Sequence, residues 1–350
     1  MKPHILDEFP QALSRWCQSQ SLPAYRAQQI GRWLFQRRAA DFSSMSDLPK
    51  NLRSELENEF QIWSTSIVRH LQADDGTEKL LLQLHDGGRI ECVLLRDGIR
   101  RTICISSQVG CAMGCVFCAS GLDGVERNLT QGEITEQMLR LQQLLPADER
   151  LSHIVVMGMG EPLANLDRLL PALDLASDPQ GLGISGRRIT ISTVGLPDAI
   201  DRLANESRHF HLAVSLHAAH DTLRNRLVPV NKNIGIQKIL AAADRYFESS
   251  GRRLTFEYVL LADVNDSTDD AAQLAQILAG RTALLNVIPY NPVAGLPYQT
   301  PAAKAIRDFK KVLEDAGINL QFRQRKGDKI NAACGQLRRS EVTVHSISPT

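Results

Sequence analysis

Three cysteines lie within eight residues, at Cys111, Cys115 and Cys118. Three thiols this close, in a loop that contains Gly110 and Gly114, can converge on one metal centre. Four cysteines would complete a tetrahedral zinc site or fully ligate a 4Fe–4S cluster, whereas three leave one position open. On an iron–sulfur cluster, that open iron can bind a small molecule. The alternatives are a zinc site with a distant fourth ligand, or coincidence, although chains in a reducing compartment rarely gather thiols without a metal or redox purpose.

Strand-like and helical runs alternate around this loop and must position it. Apolar runs predict strands near 102–107, 153–157, 188–193, 210–215, 254–261 and 283–288, with a further piece near 318–323. Helical runs follow them, beginning with a helix that a capping box of Thr130 and Glu133 introduces and continuing near 166–176, 197–206, 235–249, 267–279 and 301–316. Six βα units in series predict an α/β fold with a parallel sheet, a partial (β/α)6 barrel.

Polar residues follow several of these strands. The cysteine loop follows the first strand, and the remaining positions are Gly158–Glu161, Ser192, Ser215–His217 and Asn291, after the second, third, fourth and sixth strands. Any one of them could be an ordinary loop residue or a helix cap. Their common placement at the C-terminal ends of the strands predicts that they line one mouth of the barrel.

Further segments flank the predicted barrel core, which spans 97–329. Residues 1–64 have helical spacing and predict an N-terminal accessory domain; its arginines are either a solvated helix face or an RNA-contacting surface. Residues 65–96 contain two strand-like runs around a turn at His85–Gly88, which predicts a β-hairpin extension carrying Glu91. Residues 330–350 form a C-terminal tail that carries Cys334.

Composition says more about the cellular compartment of the protein than about its binding partner. The chain has 350 residues, 43% hydrophobic, and a net charge of +1, so a nucleic-acid surface would have to come from local patches. The N-terminal residues lack an apolar signal segment, and no run approaches the roughly 20 apolar residues of a membrane span. We therefore expect a cytoplasmic protein with no membrane association, whose seven cysteines are not a disulfide framework.

The chain resembles the RlmN/Cfr family of radical S-adenosylmethionine (SAM) RNA methyltransferases over nearly its whole length, and within that family it is most similar to the RlmN members. The motifs that carry the resemblance are Cys104-Ile-Ser-Ser-Gln-Val-Gly-Cys111, Arg127-Asn-Leu-Thr130, Gly158-Met-Gly-Glu-Pro162, Val214-Ser-Leu-His-Ala218, Phe256-Glu-Tyr-Val-Leu-Leu261, Ile288-Pro-Tyr-Asn-Pro292 and Asn331-Ala-Ala-Cys-Gly-Gln-Leu337. The cysteine triplet alone indicates the superfamily, whereas Cys104 and Cys334 in their contexts indicate the family.

The resemblance implies cofactors and partners. Cys111, Cys115 and Cys118 would hold a 4Fe–4S cluster, and two SAM molecules would be used per turnover. The residues implied in SAM binding are Gly160, Glu161, Ser192, Ser215, Leu216, His217 and Asn291. The implied substrates are large-subunit ribosomal RNA and transfer RNA, the implied electron donor is a protein such as flavodoxin, and we expect a monomer.

The resemblance also implies catalytic roles. Cys334 would take a methyl group from one SAM, a 5′-deoxyadenosyl radical from a second SAM would activate that group, and the resulting carbon would add to carbon 2 of an adenine. Glu91 would take the ring proton. Cys104, as a thiolate, would attack the Cys334 sulfur and release the methylated base, leaving a disulfide between the two cysteines. Without the resemblance, each cysteine would be a small buried hydrophobe, as we expect for Cys17 and Cys92.

Three other functions stay open at this point. Cfr-like methylation of adenine carbon 8 would use the same machinery, although Arg323, Lys326 and Gly327 favour the RlmN type. A non-catalytic, metal-bearing RNA-binding protein would not need the pair Cys104 and Cys334. A radical SAM enzyme with an unrelated substrate would share only the cluster. The basic runs at 323–329 and 338–339 are either a solvated tail or a phosphate-binding patch beside the reactive thiol.

Overall fold

The computed structural model describes residues 2–322 and 330–337. Its helices are α1 Gln11–Ser19, α2 Tyr25–Phe35, α3 Lys50–Glu59, α4 Gln131–Gln143, α5 Leu166–Ser177, α6 Pro197–Ala204, α7 Asp221–Leu227, α8 Ile236–Ser250, α9 Thr268–Leu278 and α10 Ala303–Asp315. Its strands are β1 Ser66–Gln72, β2 Glu78–Gln83, β3 Arg89–Asp97, β4 Arg100–Cys104, β5 Gln108–Gly110, β6 Val125–Asn128, β7 His153–Val156, β8 Ile189–Thr193, β9 His211–Ser215, β10 Leu254–Leu260, β11 Ala283–Pro289 and β12 Leu320–Phe322. None of these helices has the length and apolar character that crossing a lipid bilayer requires.

Ten of these strands form one sheet in the order β1-β2-β3-β4-β7-β8-β9-β10-β11-β12. Neighbours from β4 to β12 are parallel, whereas β1 to β4 pair antiparallel. The two terminal strands of this order do not pair with each other, so the sheet is open. The predicted α/β fold is confirmed: six parallel strands alternate with helices, and β12 adds a short seventh.

Helix α4 follows the cysteine loop and is buried on two sides. It begins at the predicted capping box, where the Thr130 hydroxyl accepts a hydrogen bond from the Glu133 N–H and the Glu133 carboxylate accepts one from the Thr130 N–H. Ile134 and Met138 pack into the core beneath the sheet, while Leu139 packs against the N-terminal helices. This position makes α4 the element that joins the N-terminal domain to the barrel.

The N-terminal helices α1–α3 surround a hydrophobic core of their own. That core includes Leu13, Ile30, Leu34, Leu52 and Leu56, and it also takes in one side chain from α4 and one from α5. Helical spacing therefore correctly predicted a helical N-terminal segment. This segment packs against the outer side of the barrel helices α4 and α5.

Sequence periodicity missed several short elements. The predicted hairpin is β2–β3, and β1 extends it to three strands that continue into the main sheet. Helix α7 and the small pair β5–β6 were not predicted. The strand predicted near 102–107 ends at Cys104, because the side-chain amide of Gln137 binds both the N–H (2.8 Å) and the carbonyl (3.0 Å) of Ser106 in place of a neighbouring strand.

Candidate active site

The loop after β5 brings the three clustered cysteines to one cavity. Cys111, Cys115 and Cys118 all line an open cavity of about 930 Å³ at the C-terminal ends of the parallel strands. Burial raises the pKa of Cys111 to about 12 and also raises the pKa of the other two thiols. The thiols are therefore protonated when alone, and they would ionise on binding a metal, whose positive charge stabilises the thiolate.

The arrangement of these thiols suits a cluster better than a single ion. Within the described ranges, no three His, Cys, Asp or Glu side chains are arranged to hold one metal ion. A tetrahedral zinc ion needs such convergence. A 4Fe–4S cluster does not, because each thiolate binds a different iron. Three thiols facing one cavity, with space beyond them for a further ligand, fit the cluster that the cysteine spacing predicted.

The loop after β7, residues 158–161, is held by the segment that follows β4. The Met159 carbonyl accepts hydrogen bonds from the N–H groups of Ser107 (2.8 Å) and Gln108 (3.2 Å), and the Gln108 side chain accepts one from the Glu161 N–H (2.8 Å). Gly160 has φ +103°, and a Cβ there would lie 2.7 Å from the Gln108 Cβ. Only glycine allows this close approach, which brings Glu161 to the cavity.

Glu161 is a buried carboxylate in the cavity wall. One oxygen accepts a hydrogen bond from the Leu163 N–H (3.0 Å) and the other accepts one from the Val194 N–H (2.8 Å). Burial raises its pKa, and these hydrogen bonds oppose the rise. A carboxylate has about four acceptor sites, so Glu161 can still accept a hydrogen bond from an ammonium group in the cavity.

Two further predicted residues present polar groups to the same cavity. The Nδ1 of His217 accepts a hydrogen bond from the Val259 N–H (3.1 Å), so Nε2 carries the proton. Burial, together with the positive charge of Arg224, lowers the pKa of His217 to about 3, so the ring is neutral. The Oδ1 of Asn291 is buried and has no hydrogen-bond donor among the described residues. An acceptor in this state fits a ligand that brings an amine or hydroxyl, as SAM does.

Of the remaining residues that were predicted to bind SAM, two line the cavity and one does not. Ser192 and Ser215 line the cavity. Leu216 does not, because its side chain is fully buried in the core, its N–H donates to the Glu257 carbonyl (2.9 Å) and its carbonyl accepts from Arg224 (3.0 Å). A contact between Leu216 and SAM therefore stays a prediction.

The tail segment 330–337 adds Cys334 and Gly335 to the cavity wall. Three hydrogen bonds attach its residues 335–337: the Ala119 N–H to the Gly335 carbonyl (2.8 Å), the Ser120 hydroxyl to the Leu337 carbonyl (2.7 Å), and the Gln336 amide to the Pro292 carbonyl (3.0 Å). The first two come from the residues directly after Cys118. The tail thiol and the cysteine loop therefore depend on one another for their position. The predicted basic runs on either side of Cys334 lie outside the described residues.

Glu91 and Cys104 lie on one face of the sheet. Cys104 pairs with Val93 on β3, and Glu91 is two residues away on the same strand, so the three side chains share a face. Glu91 is 5% exposed, unlike an ordinary strand glutamate, and its Oε1 lies 2.8 Å from the Lys79 ammonium. Neither Glu91 nor Cys104 is among the residues that line the cysteine cavity.

The other two cysteines are buried away from the cavity. Cys17 packs in the N-terminal core and Cys92 in the core beneath the sheet, and burial raises the pKa of both thiols. A raised pKa leaves a thiol protonated and unreactive. Their surroundings agree with the structural role that we expected.

Sequence reasoning missed polar residues that the fold brings to the site. Lys79 directly precedes the three leucines of β2, and a lysine at the edge of a buried apolar run can indicate a buried ion pair. Arg224 lies in the unpredicted α7 and gave no signal. Glu257 lines the cavity and accepts a hydrogen bond from Asn286 (2.7 Å). The two residues are paired across β10 and β11, and each is a polar residue in an otherwise mostly apolar strand.

Two family descriptions match this chain. Residues 105–275 match the Radical SAM superfamily, and residues 4–62 match the Ribosomal RNA large subunit methyltransferase N-terminal domain. The first range contains the three clustered cysteines and the cavity residues up to Val259. The second range contains helices α1–α3.

Whole-chain relatives agree with these matches. A "Probable dual-specificity RNA methyltransferase RlmN" from Rhodopirellula baltica is 65% identical over 343 residues, covering 98% of this chain and 92% of the relative. A protein of the same description from Moorella thermoacetica is 46% identical over 337 residues, covering 94% and 95%. The crystal structure of a radical SAM methyltransferase from Sphaerobacter thermophilus has a TM-score of 0.94 at 41% identity, covering 97% of this chain and 100% of that one.

Proposed function

Because this chain belongs to the RlmN family of radical SAM RNA methyltransferases, we propose that it methylates carbon 2 of an adenine in large-subunit ribosomal RNA and in transfer RNA. The observation that carries the proposal is the thiol of Cys334, which lines the same cavity as the three clustered cysteines and Glu161. A non-catalytic binding protein does not need a thiol at that point, whereas a methyl carrier must lie where SAM binds.

Cofactor binding is assigned to the residues of the cavity wall. Cys111, Cys115 and Cys118 hold the 4Fe–4S cluster, and two SAM molecules are used per turnover. The SAM-binding groups are Gly160, Glu161, Ser192, Ser215, His217 and Asn291, which line the cavity, and Leu216, whose contact with SAM is proposed from the family resemblance alone. When bound, the cluster and SAM supply one-electron chemistry that activates the methyl group carried on Cys334 for bonding to an adenine carbon.

The protein's own residues carry the remaining steps. Cys334, as a thiolate, accepts the methyl group and holds it as a thioether. After the methyl carbon has bonded to the ring, Glu91 takes the ring proton, and the one electron that the ring must lose would return to the one-electron chemistry of the bound cluster. The Cys104 thiolate then attacks the Cys334 sulfur. The sulfur–carbon bond breaks, its electron pair stays on the carbon, and that carbon takes a proton to become the product methyl group. The Cys104–Cys334 disulfide is then reduced by an external dithiol.

The proposal extends to domains and partners. The N-terminal domain (1–64) and the tail (330–350) contact RNA, the extension (65–96) carries the base, and the core (97–329) holds the cofactors. A flavodoxin-like protein supplies electrons, and the enzyme acts as a cytoplasmic monomer. Arg37, two residues after α2, supports an RNA contact, because its half-exposed guanidinium stacks on Trp33 (4.4 Å to the ring centroid) while it pairs with Asp47 (3.3 Å).

Mass spectrometry of nucleosides tests the reaction. The protein is reconstituted without oxygen, given SAM, a reductant and a protein-free ribosomal RNA fragment or a transfer RNA, and the RNA is digested. We expect 2-methyladenosine from both RNAs and none from Cys334→Ala. An 8-methyladenosine peak would move the enzyme to the Cfr type. Neither product, from protein with an intact cluster, would overturn the proposed substrate.

A second variant tests the order of steps. Cys104→Ala should still methylate Cys334 and bond to RNA but should not release it, so a denaturing gel should show protein covalently attached to RNA. Cys92→Ala is the matched control, because Cys92 lies near Cys104 yet is fully buried, and it should form no lasting adduct. Continued turnover by Cys104→Ala would show that another group resolves the intermediate.

A further inference from the structure

Lys79 is a buried cation in β2, directly before three buried leucines. Its side chain is 6% exposed, and Nζ lies 2.8 Å from Glu91 Oε1 and 2.9 Å from the carbonyl oxygen of Asn331. Removing an ammonium from water is costly even when it is paired, and an apolar residue is often equally stable at such a position. A methionine would fill the same space in β2, so the buried ammonium of Lys79 points to a role beyond stability.

The two partners of Lys79 come from distant parts of the chain. Glu91 lies on the neighbouring strand β3, and Asn331 lies in the tail, 252 residues after Lys79 and three residues before Cys334. Lys79 pairs with Val93, which in turn pairs with Cys104, so the ammonium lies on the face that carries the resolving cysteine. One side chain thus contacts both the extension and the tail.

We propose that Lys79 is a positioning residue for methyl transfer, whose ammonium holds the Glu91 carboxylate and the Cys334 segment in one arrangement around the target adenine. The inference rests on the proposed function, which assigns the base to Glu91 and the methyl carrier to Cys334. A carboxylate can take the ring proton only if it is held at the ring carbon in the reacting geometry. The ion pair fixes the position of the Glu91 carboxylate, and the bond to Asn331 ties the segment that carries Cys334 to the same ammonium.

The other contacts of the tail decide which steps depend on Lys79. Ala119, Ser120 and the Pro292 carbonyl hold residues 335–337 without help from Lys79. Loss of Lys79 should therefore leave Cys334 close enough to the cysteine loop to receive its methyl group. Removal of the ring proton should slow, because that step needs the Glu91 carboxylate in place.

Lys79→Met removes both interactions, and Lys79→Arg restores them. In single-turnover reactions followed on denaturing gels, we expect the covalent RNA adduct of Lys79→Met to persist at least about tenfold longer than that of the wild type, with methylation of Cys334 retained. Lys79→Arg should stay within about twofold of the wild type, because a guanidinium can bind the same two oxygens. Lys50→Met, at an exposed lysine, is the control and should behave as wild type.

A second readout is independent of the cofactors. In cluster-free protein, iodoacetamide should alkylate Cys334 several-fold faster in Lys79→Met than in the wild type, because the tail has lost one of its attachments. Should Lys79→Met fail to fold, Lys79→Gln, which keeps a polar tip without the charge, should lengthen the adduct lifetime in the same way.

The outcomes separate this inference from the proposed function. Equal adduct lifetimes and equal alkylation rates in Lys79→Met and in a wild type that methylates RNA would overturn the positioning role alone. A wild type that forms neither adduct nor methylated adenine would overturn the proposed function, and a faster alkylation of Cys334 in Lys79→Met would then still establish that Lys79 attaches the tail.

Discussion

Arg224 is fully buried, and its guanidinium joins the ends of two strands. It donates to the carbonyls of Ser215 (2.9 Å) and Leu216 (3.0 Å) at the end of β9, and to the Val194 carbonyl after β8. A further N–H donates to the side chain of Asn231. Burial lowers its pKa to about 10, which still leaves it charged at neutral pH. Because those strand ends carry Ser192, Ser215 and His217, one arginine shapes much of the cavity wall that we propose binds SAM.

Replacing this arginine should damage both stability and cofactor binding. Arg224→Gln leaves several buried carbonyls without donors, and we expect it to lower the free energy of unfolding by roughly 3 kcal/mol or more. SAM affinity, measured by calorimetry on reconstituted protein, should fall at least about tenfold. Arg226→Gln, at an exposed arginine of the same helix, should change stability by less than about 0.5 kcal/mol. Equal SAM affinity in the two variants would contradict this role for Arg224.

The loop at 158–161 places Glu161 by close backbone contact with the segment after β4. A Cβ on Gly158 would lie 2.6 Å from the Ser106 hydroxyl, and a Cβ on Gly160 would lie 2.8 Å from the backbone nitrogen of Gln108. Backbone atoms cannot move aside as a flexible side chain can. The loop at 158–161 therefore needs glycine at both positions so that its own carbonyl and N–H groups can form hydrogen bonds with the segment after β4.

Adding one methyl group to the loop at 158–161 should displace the Glu161 carboxylate. Gly160→Ala combines the contact with Gln108 and a positive φ, and we expect a loss of about 3 kcal/mol in the free energy of unfolding. SAM affinity should fall as Glu161 moves away from the cavity. Gly183→Ala is the matched control, because Gly183 has φ +65° with no atom within 4 Å of an added Cβ. It should cost only about 1 kcal/mol and leave SAM binding unchanged.

The N-terminal domain is attached to the barrel through a buried glutamate of α4. Glu136 accepts hydrogen bonds from the hydroxyls of Ser64 (2.7 Å) and Thr65 (2.6 Å) and from the Nε2 of His4 (3.0 Å), and its own side chain has no exposure to solvent. Burial alone would raise its pKa, but these donors outweigh burial and lower the pKa to about 2. The attachment therefore depends on the charged form of one carboxylate.

The pH dependence of stability follows from that lowered pKa. The charged form is favoured in the folded state, so its contribution is complete above about pH 4.5 and is lost as the pH falls towards 2. That contribution amounts to about 3 kcal/mol. Glu136→Gln should lose it at pH 7 and should show a shallower loss of stability below pH 4.5, measured by guanidinium denaturation. Glu55→Gln, at an exposed glutamate, should follow the wild-type curve; an identical curve for Glu136→Gln would contradict the assignment.

Local patterns in the sequence were sufficient for much of the architecture. The alternation of apolar strands and amphipathic helices predicted the α/β fold, and Thr130 with Glu133 predicted the start of α4. The spacing of the three cysteines predicted that they would share one site. These inferences succeed because strand and helix periods, caps and short ligand spacings depend on residues that are near one another in the chain.

The contacts that complete the site were decided by tertiary structure. Burial of Glu91 depends on Lys79 across a strand pair, and the position of Cys334 depends on Ala119 and Ser120, more than 200 residues earlier. Arg224 acts through carbonyls on two strands, and a side chain that binds distant main-chain groups leaves no periodic signal. The sequence by itself determined which chemistry the chain can carry, whereas packing between distant segments decided which groups meet, because a pairing across a fold depends on both partners at once.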